Sequence, residues 1–316
     1  MNLMALLAPK FLVLYTFIAT GTYVHFRGKV RHKFSRQLLD HSTIMAPYNC
    51  FAYATSAVPN TPFIALEHFP DLKLLQDNWE TIRDEAAGLF DEGRIRAASG
   101  HTDLAFHSFF KSGWKRFYLK WYGDMLPSAE ELCPKTVELV NKIPSLNAAM
   151  FAMLPPGGRL TAHRDPFGGS LRYHLGLITP NDDNCFINVD GQNYSWRDGE
   201  GVVFDETFIH SAHNRTDKNR IILFCDVERP FKWKFAAVVN RFFKKIAVAA
   251  SASQNDDSEK LGVLNKLFSY IYLIRIQTKN LKKTNRTLYY ALKWLILGLA
   301  AYFIFFHGMN VMGDAS

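Results

Sequence analysis

The segment 171–178 (LRYHLGLI) most restricts what this chain can fold into. Read with the two-residue period of a strand, Leu171, Tyr173, Leu175 and Leu177 fall on one face, Arg172 and His174 on the other. A strand that is apolar on one side and carries a cation and an imidazole on the other belongs to a β-sandwich or barrel with a polar cavity. The neighbouring text is of the same kind. Cys185–Val189 and Gln192–Trp196 flank Asp190-Gly191, and Asp198-Gly199 precedes Gly201–Phe204, so hairpins are expected at both Asp-Gly pairs. Ile221–Val227 is long and apolar enough for a buried strand.

Into this β-rich stretch are set His163-Arg164-Asp165, then His210, then Arg220. Two imidazoles and a carboxylate can occupy one face of an octahedral iron and leave three positions open. Ligands two residues apart require extended chain, which points both side chains to one side, and the third must return on a distant strand. An arginine beyond the last ligand can grip the far carboxylate of a 2-oxo acid, because guanidinium pairs bidentately with carboxylate. His-Arg-Asp also occurs in kinase catalytic loops, but here no Asn follows at the required offset and there is no Asp-Phe-Gly.

Three motifs carry a family resemblance: HRDPFGGSLRYHLGL (163–177), VFDETFIH (203–210) and NRIILFCDVERP (219–230). On these, Phe151–Pro230 resembles the aspartyl/asparaginyl β-hydroxylases, a family of Fe(II)/2-oxoglutarate dioxygenases. With an apolar segment at each end, the chain is most similar to the bacterial lipid A 2-hydroxylases within that family. The resemblance implies a mainly β, double-stranded β-helix (jelly-roll) domain, placed at 42–230. It implies His163, Asp165 and His210 as iron ligands, Arg220 as the carboxylate partner of 2-oxoglutarate, and Arg172 and His174 facing that cosubstrate. Fe(II), 2-oxoglutarate and O2 are then the cofactor and cosubstrates. The expected reaction is hydroxylation at C2 of an acyl chain of lipid A. Another acyl lipid, such as an ornithine-type aminolipid, or a peptidyl Asp/Asn is the alternative. Ala152 stands where a relative places a serine toward 2-oxoglutarate.

The two ends suggest a membrane. Residues 3–24 are mostly apolar and are followed by Arg27, Lys29, Arg31, Lys33 and Arg36. Residues 288–306 hold one charge, Lys293, and follow Lys279, Lys282, Lys283 and Arg286. Two transmembrane helices are expected, with both basic flanks and the catalytic domain on the cytoplasmic side of a bacterial inner membrane. Between them, 231–286 alternates aromatic and basic residues, as amphipathic segments on an anionic bilayer surface do, interrupted by a solvated loop at 251–260. A net charge of +8 with 48% apolar residues agrees with a protein that meets anionic surfaces. The partner is thus a membrane lipid, with no signal for nucleic acid. Cys50, Cys133, Cys185 and Cys225 lie far apart without metal-site spacing and are expected to be reduced.

Two helices are expected before the metal motif. Leu72, Leu75, Trp79, Ile82, Ala86 and Leu89 recur at helical spacing, and Ser128 with Glu131 forms a capping box for a helix to about Val140. Pro155–Gly158 is a turn into His163, and the aromatic, basic run Trp114–Tyr122 has no assigned role.

Overall fold

Among the described residues, ten antiparallel strands form two sheets. They are β1 (Phe63–Ile64), β2 (Lys115–Trp121), β3 (Leu146–Leu154), β4 (Arg159–His163), β5 (Ser170–Ile178), β6 (Cys185–Val189), β7 (Gln192–Ser195), β8 (Gly201–Phe204), β9 (His210–Asn214) and β10 (Arg220–Glu228). The larger sheet has the order β1-β8-β5-β10-β3-β2 and the smaller β4-β9-β6-β7. From β3 onward the chain steps between the sheets: β3, β5, β8 and β10 in one, β4, β6, β7 and β9 in the other. That shuttling of eight strands is jelly-roll connectivity. This computed structural model describes residues 7–37, 40–95, 109–123, 125–245, 255, 267, 274 and 277–306.

In β3, β5 and β10 every residue but the last of β5 and of β10 is buried, so both faces of the larger sheet are covered. The helices Trp79–Asp91 and Pro134–Asn141 pack on β5 and β3 from outside, and the smaller sheet covers the inner face. The expected apolar positions Leu72, Leu75, Ile82, Ala86 and Leu89 are all buried. Two expected helices are broken, however. The first pauses at Asn78, between Lys73–Asp77 and Trp79–Asp91. The second starts on Pro127 without a side-chain cap, so Ser128 closes no capping box. It stops at Cys133, because the following Pro134 excludes its neighbour from helical backbone, and restarts as Pro134–Asn141.

Asp190 (φ 52°) and Gly191 (φ 87°) form the expected hairpin turn between β6 and β7, both in the left-handed region that a primed turn needs. Asp198-Gly199 does not make a hairpin. It carries the chain from β7 in the smaller sheet to β8 in the larger, with Asp198 Oδ1 accepting from Thr179 N at 2.7 Å. Pro155–Gly158 makes the corresponding crossing from β3 to β4, closed by Gly158 N donating to Pro155 O at 2.9 Å. Trp114–Tyr122, unassigned from sequence, supplies β2 at the sheet edge beside β3. All four cysteines are free.

At the ends, one helix among the described residues, Arg286–Ile304, is long and apolar enough to cross a membrane. The N-terminal expectation meets the helix Pro9–Phe26, whose last turns bury Gly21, Val24 and His25. Its contacts are with His41–Ile44 and Ala46–Thr55, so this end is docked on the folded domain, while Leu12, Val13 and Ile18 are exposed. Residues 3–6 and most of 246–276 lie outside the described residues. Of the expected surface segments, Lys234–Phe243 is a helix with Trp233, Phe235, Val238 and Phe242 exposed along it.

A buried ion cluster joins the N-terminal region to the sheets. Asp205, with no exposed side-chain surface, pairs with Arg229 at 2.8 Å and with Arg27 at 2.6 Å. Burial alone would raise its pKa, but the two guanidinium groups overcome it and hold the carboxyl well below the usual range. Asp205→Ala leaves two buried cations short of their partner and is expected to destabilise by about 3–5 kcal/mol in denaturant titration. A carboxyl with a depressed folded pKa stabilises above its unfolded value of about 3.9 and loses that contribution as pH falls. Asp205→Asn should therefore show a weaker loss of stability on acidification than wild type.

Candidate metal centre

His163 and His210 are cross-strand partners of β4 and β9, so the pairing register brings the two imidazoles together. Their ring centroids are 4.2 Å apart. A bulge lies between Leu160 and His163: Leu160 pairs with Ala212, and three residues on, His163 pairs with a residue only two away. Without it, strict alternation would turn His163 to the face opposite Leu160. With it, Leu160, Ala212, His163 and His210 all line one cavity between the sheets. Asp165 follows just past the strand end, its N–H donating to Glu206 O at 3.0 Å, and places Oδ1 3.7 Å from His163 Nε2. Ligand atoms of His163, Asp165 and His210 all lie within 4.8 Å of one another.

Both histidines are set in the tautomer a metal needs. His163 Nδ1 lies 2.7 Å from Thr161 O, and His210 Nδ1 lies 3.0 Å from Phe208 O. A carbonyl only accepts, so each Nδ1 carries the proton and each Nε2 offers its lone pair. Burial, with His163 adding and Asp165 opposing, lowers the His210 pKa to about 3, so the ring is neutral at pH 7. Asp165 is held ionised: Arg172, His210 and His163 outweigh the effect of burial and depress its pKa strongly.

The larger sheet supplies the rest of the cavity. Arg172 and His174 project inward from β5, with Arg220, Ile222 and Phe224 from β10 and Ala152 from β3. Arg172 and Arg220 are both buried arginines, yet their surroundings differ. Arg172 Nη2 donates to Asp165 Oδ2 at 3.0 Å and to Glu206 Oε2, and its Nε lies 2.8 Å from Asp226 Oδ1. Its guanidinium is thus shared among three carboxylates and stacks 3.8 Å over Phe224. The acids are held in turn, Glu206 by Ser170 Oγ at 3.0 Å and Asp226 by Tyr122 Oη at 2.7 Å. Burial, reinforced by Asp226 and Asp165 and opposed by Arg172, pushes Glu206 well above the usual carboxylate range.

Arg220 has no such company. It is 2% exposed, no carboxylate among the described residues is within ion-pair reach, and Nε and Nη2 have no hydrogen-bond partner. Trp196 stacks 4.4 Å from its guanidinium, and burial lowers its pKa to about 10. His174, buried among Phe204, Phe224 and Trp196, also has both ring nitrogens without partners. An enclosed cation and an imidazole left unsatisfied beside a metal-binding trio fit a bound anion, since groups of this kind are costly to bury unpaired.

All six residues singled out from the sequence therefore converge, but Arg172 faces Asp165 and two further acids rather than an empty space. Glu206 and Asp226 were passed over. A period-2 count along β10 would have found Asp226, which shares the inward face with Arg220, Ile222 and Phe224. Phe109, Trp114, Leu160 and Trp196, which line the cavity, come from loops and strand ends whose periodicity is too short to read. His213 points elsewhere and stacks on Phe186, and His101 and His107 lie outside the described residues.

Comparison with known proteins gives relatives of one kind. The sequence profile described as aspartyl/asparaginyl beta-hydroxylase matches residues 76–230. An ornithine lipid ester-linked acyl 2-hydroxylase of Rhizobium tropici is 44% identical over 120 residues, covering 38% of this chain and 43% of that one. The human aspartyl/asparaginyl beta-hydroxylase is 28% identical over 164 residues, covering 50% of this chain and 21% of that one. The chain thus spans less than half the length of either relative. Among solved structures, a Pseudomonas putida prolyl-4-hydroxylase superposes with a TM-score of 0.34 at 18% identity, over 48% of this chain and 87% of that one.

Replacing either histidine by Ala is expected to remove stoichiometric metal from the purified protein, measured by metal analysis after anaerobic loading. Asp165→Ala should weaken retention by more than the roughly 10–100-fold that loss of a supporting partner outside the ligand set typically costs. Full metal content in His210→Ala contradicts the assignment.

Proposed function

With residues 76–230 belonging to the aspartyl/asparaginyl β-hydroxylase family, we propose that this chain is an Fe(II)- and 2-oxoglutarate-dependent hydroxylase acting at C2 of a membrane-lipid acyl chain. The observation that carries the reading is the pairing of the His163–Asp165–His210 cluster with the enclosed, unpartnered guanidinium of Arg220. His163, Asp165 and His210 would hold the iron through two Nε2 atoms and one carboxylate oxygen. Arg220 would take the distal carboxylate of 2-oxoglutarate, with Trp196 beneath its guanidinium, and His174 would offer a hydrogen bond to the same molecule. Iron with 2-oxoglutarate and O2 supplies C–H hydroxylation, with succinate and carbon dioxide as coproducts. Arg172 holds Asp165 through Oδ2, which turns Oδ1 toward the histidines. The apolar lining of the cavity limits water at the reacting carbon.

Charge favours lipid over peptide. An aspartyl side chain would require a second cation beside the one that holds the cosubstrate, and Arg172 is already shared among three carboxylates. Phe109, Trp114, Leu160 and Phe204 suit an acyl chain better. The acyl 2-hydroxylase relative favours an ornithine-type aminolipid over the lipid A expected from the terminal segments, and both present the same carbon next to an acyl carbonyl. The helix Arg286–Ile304, preceded by Lys279, Lys282 and Lys283, would anchor the domain with its basic flank in the cytoplasm. The exposed Trp233, Phe235, Val238 and Phe242, rimmed by Lys232, Lys234 and Arg241, would rest on the anionic surface of the inner membrane.

Mass spectrometry of membrane lipids from cells expressing wild type or His210→Ala tests this reading. One added oxygen on the ester-linked acyl chain of an ornithine-type lipid is expected with wild type alone. The same addition on lipid A would move the substrate and keep the chemistry. No lipid change, with oxygen added to a protein Asp or Asn, would overturn the lipid reading.

A further inference from the structure

Residues 24–37, from the last turn of the N-terminal helix toward the domain, run across the strands that carry the proposed metal ligands. Arg164, between His163 and Asp165, is 2% exposed, and its Nη1 donates to Val24 O at 2.9 Å and to Gln37 Oε1 at 3.0 Å. Arg36 Nη2 donates to Ala162 O, immediately before His163, at 3.3 Å. Arg27 Nη1 donates to Thr207 Oγ1 at 2.6 Å and its Nη2 pairs with Asp205 at 2.6 Å, on the loop that leads into His210. The Arg27 guanidinium is clamped between the rings of Tyr53 at 3.8 Å and Phe208 at 3.9 Å. At the β6–β7 turn, both carboxylate oxygens of Asp190 accept backbone N–H groups, from Val30 at 2.8 Å and Lys29 at 3.0 Å. Asp190 follows Val189, the cross-strand partner of His210, and its own N–H donates to Ile209 O at 2.8 Å. The approach at this point is close: a Cβ on Gly28 would lie 2.6 Å from Asp190 Oδ1 and would have to displace that carboxylate.

Each metal ligand is therefore within three residues of a strap contact. Arg164, Arg27 and Asp205 are buried charges, and the strap contacts supply partners that offset the cost of burying them. The strap lies wholly before residue 76, where the match to the family profile begins. We propose that residues 24–37 are a positioning strap for the metal centre, holding the three ligands in register from outside the cavity. Arg164, Arg27 and Gly28 are its positioning residues. Arg164 acts by fixing the backbone between two ligands, and Arg27 and Gly28 by fixing the loop and turn that bracket the third. The inference rests on the metal assignment above.

Cobalt(II) titration of the full-length protein under anaerobic conditions tests it, read by visible absorption. Wild type is compared with Arg164→Gln, Arg164→Lys, Gly28→Ala and His210→Ala, and each metal-free protein is also melted. Loss of a supporting partner outside the ligand set typically weakens metal binding about 10–100-fold. That loss is expected for Arg164→Gln and Gly28→Ala, together with a changed cobalt spectrum, and partial recovery in Arg164→Lys. A merely structural role would lower the melting temperature and leave affinity and spectrum as in wild type, which overturns the proposal. Should Arg164→Gln fail to fold, Gly28→Ala decides alone. Wild type that binds no cobalt, or His210→Ala that binds it equally, would defeat the metal assignment instead.

Discussion

The pairing of β4 with β9 is the constraint on which the rest depends. In an antiparallel pair, residues directly opposite each other have their side chains on the same face. His163 opposite His210 thus sets two ligands side by side with no contribution from side-chain flexibility. The bulge before His163 is what makes this register useful, because it returns the histidine to the inward face after an odd number of residues. Asp165 then continues the extended chain by two more positions, and its N–H bond to Glu206 keeps it beside the pair. A jelly roll delivers strands far apart in sequence to adjacent positions, so chemistry of this kind needs a fold in which β4 and β9 are neighbours.

Charge divides the cavity into two functions. Arg172, Asp165, Glu206 and Asp226 form a closed polar network in which each charged group finds a partner, and the metal-facing carboxylate is one of its members. Arg220 stands outside that network, enclosed by Trp196 and unsatisfied. A buried guanidinium without a partner is a large electrostatic liability in an apolar surround, and the proposed dicarboxylate cosubstrate would remove it. The two arginines, equivalent as sequence features on neighbouring inward-facing strands, thereby differ: Arg172 is committed to the acids, and Arg220 is the one proposed to bind the cosubstrate.

Much of this was legible in the sequence. The alternation in 171–178 shows which side chains of β5 face inward, and the His163, Asp165 and His210 residue types carry the coordination chemistry before any fold is known. The Asp190-Gly191 turn is equally readable, because positive φ at both central residues restricts what can stand there. What escapes is whatever depends on register or on distant partners. The bulge leaves no mark in composition, and Asp198-Gly199 has the residues of a hairpin but joins two sheets. Arg164 reads as filler between two ligands until Val24 and Gln37 are brought against it. The apolar N-terminal run shows hydrophobicity, but its periodicity does not reveal that Gly21, Val24 and His25 dock on the domain. Pro134 was visible, and the rule that its predecessor leaves the helix would have split the expected helix correctly.

On the proposed reading, a metal held by His163, Asp165 and His210 shares its cavity with a cosubstrate held by Arg220 and not by Arg172. Anaerobic titration of Fe(II)-loaded protein with 2-oxoglutarate, followed by the visible charge-transfer band that chelation produces, tests it most directly. The band is expected in wild type. In Arg220→Gln its midpoint should rise by about tenfold or more, equivalent to about 1.4 kcal/mol, because a charge-assisted bidentate contact is lost. Arg172→Gln should weaken iron retention but leave the 2-oxoglutarate midpoint of the loaded protein within about twofold of wild type, since its guanidinium is committed to the three acids. No band in wild type, or a midpoint that moves with Arg172 and is indifferent to Arg220, would contradict the account.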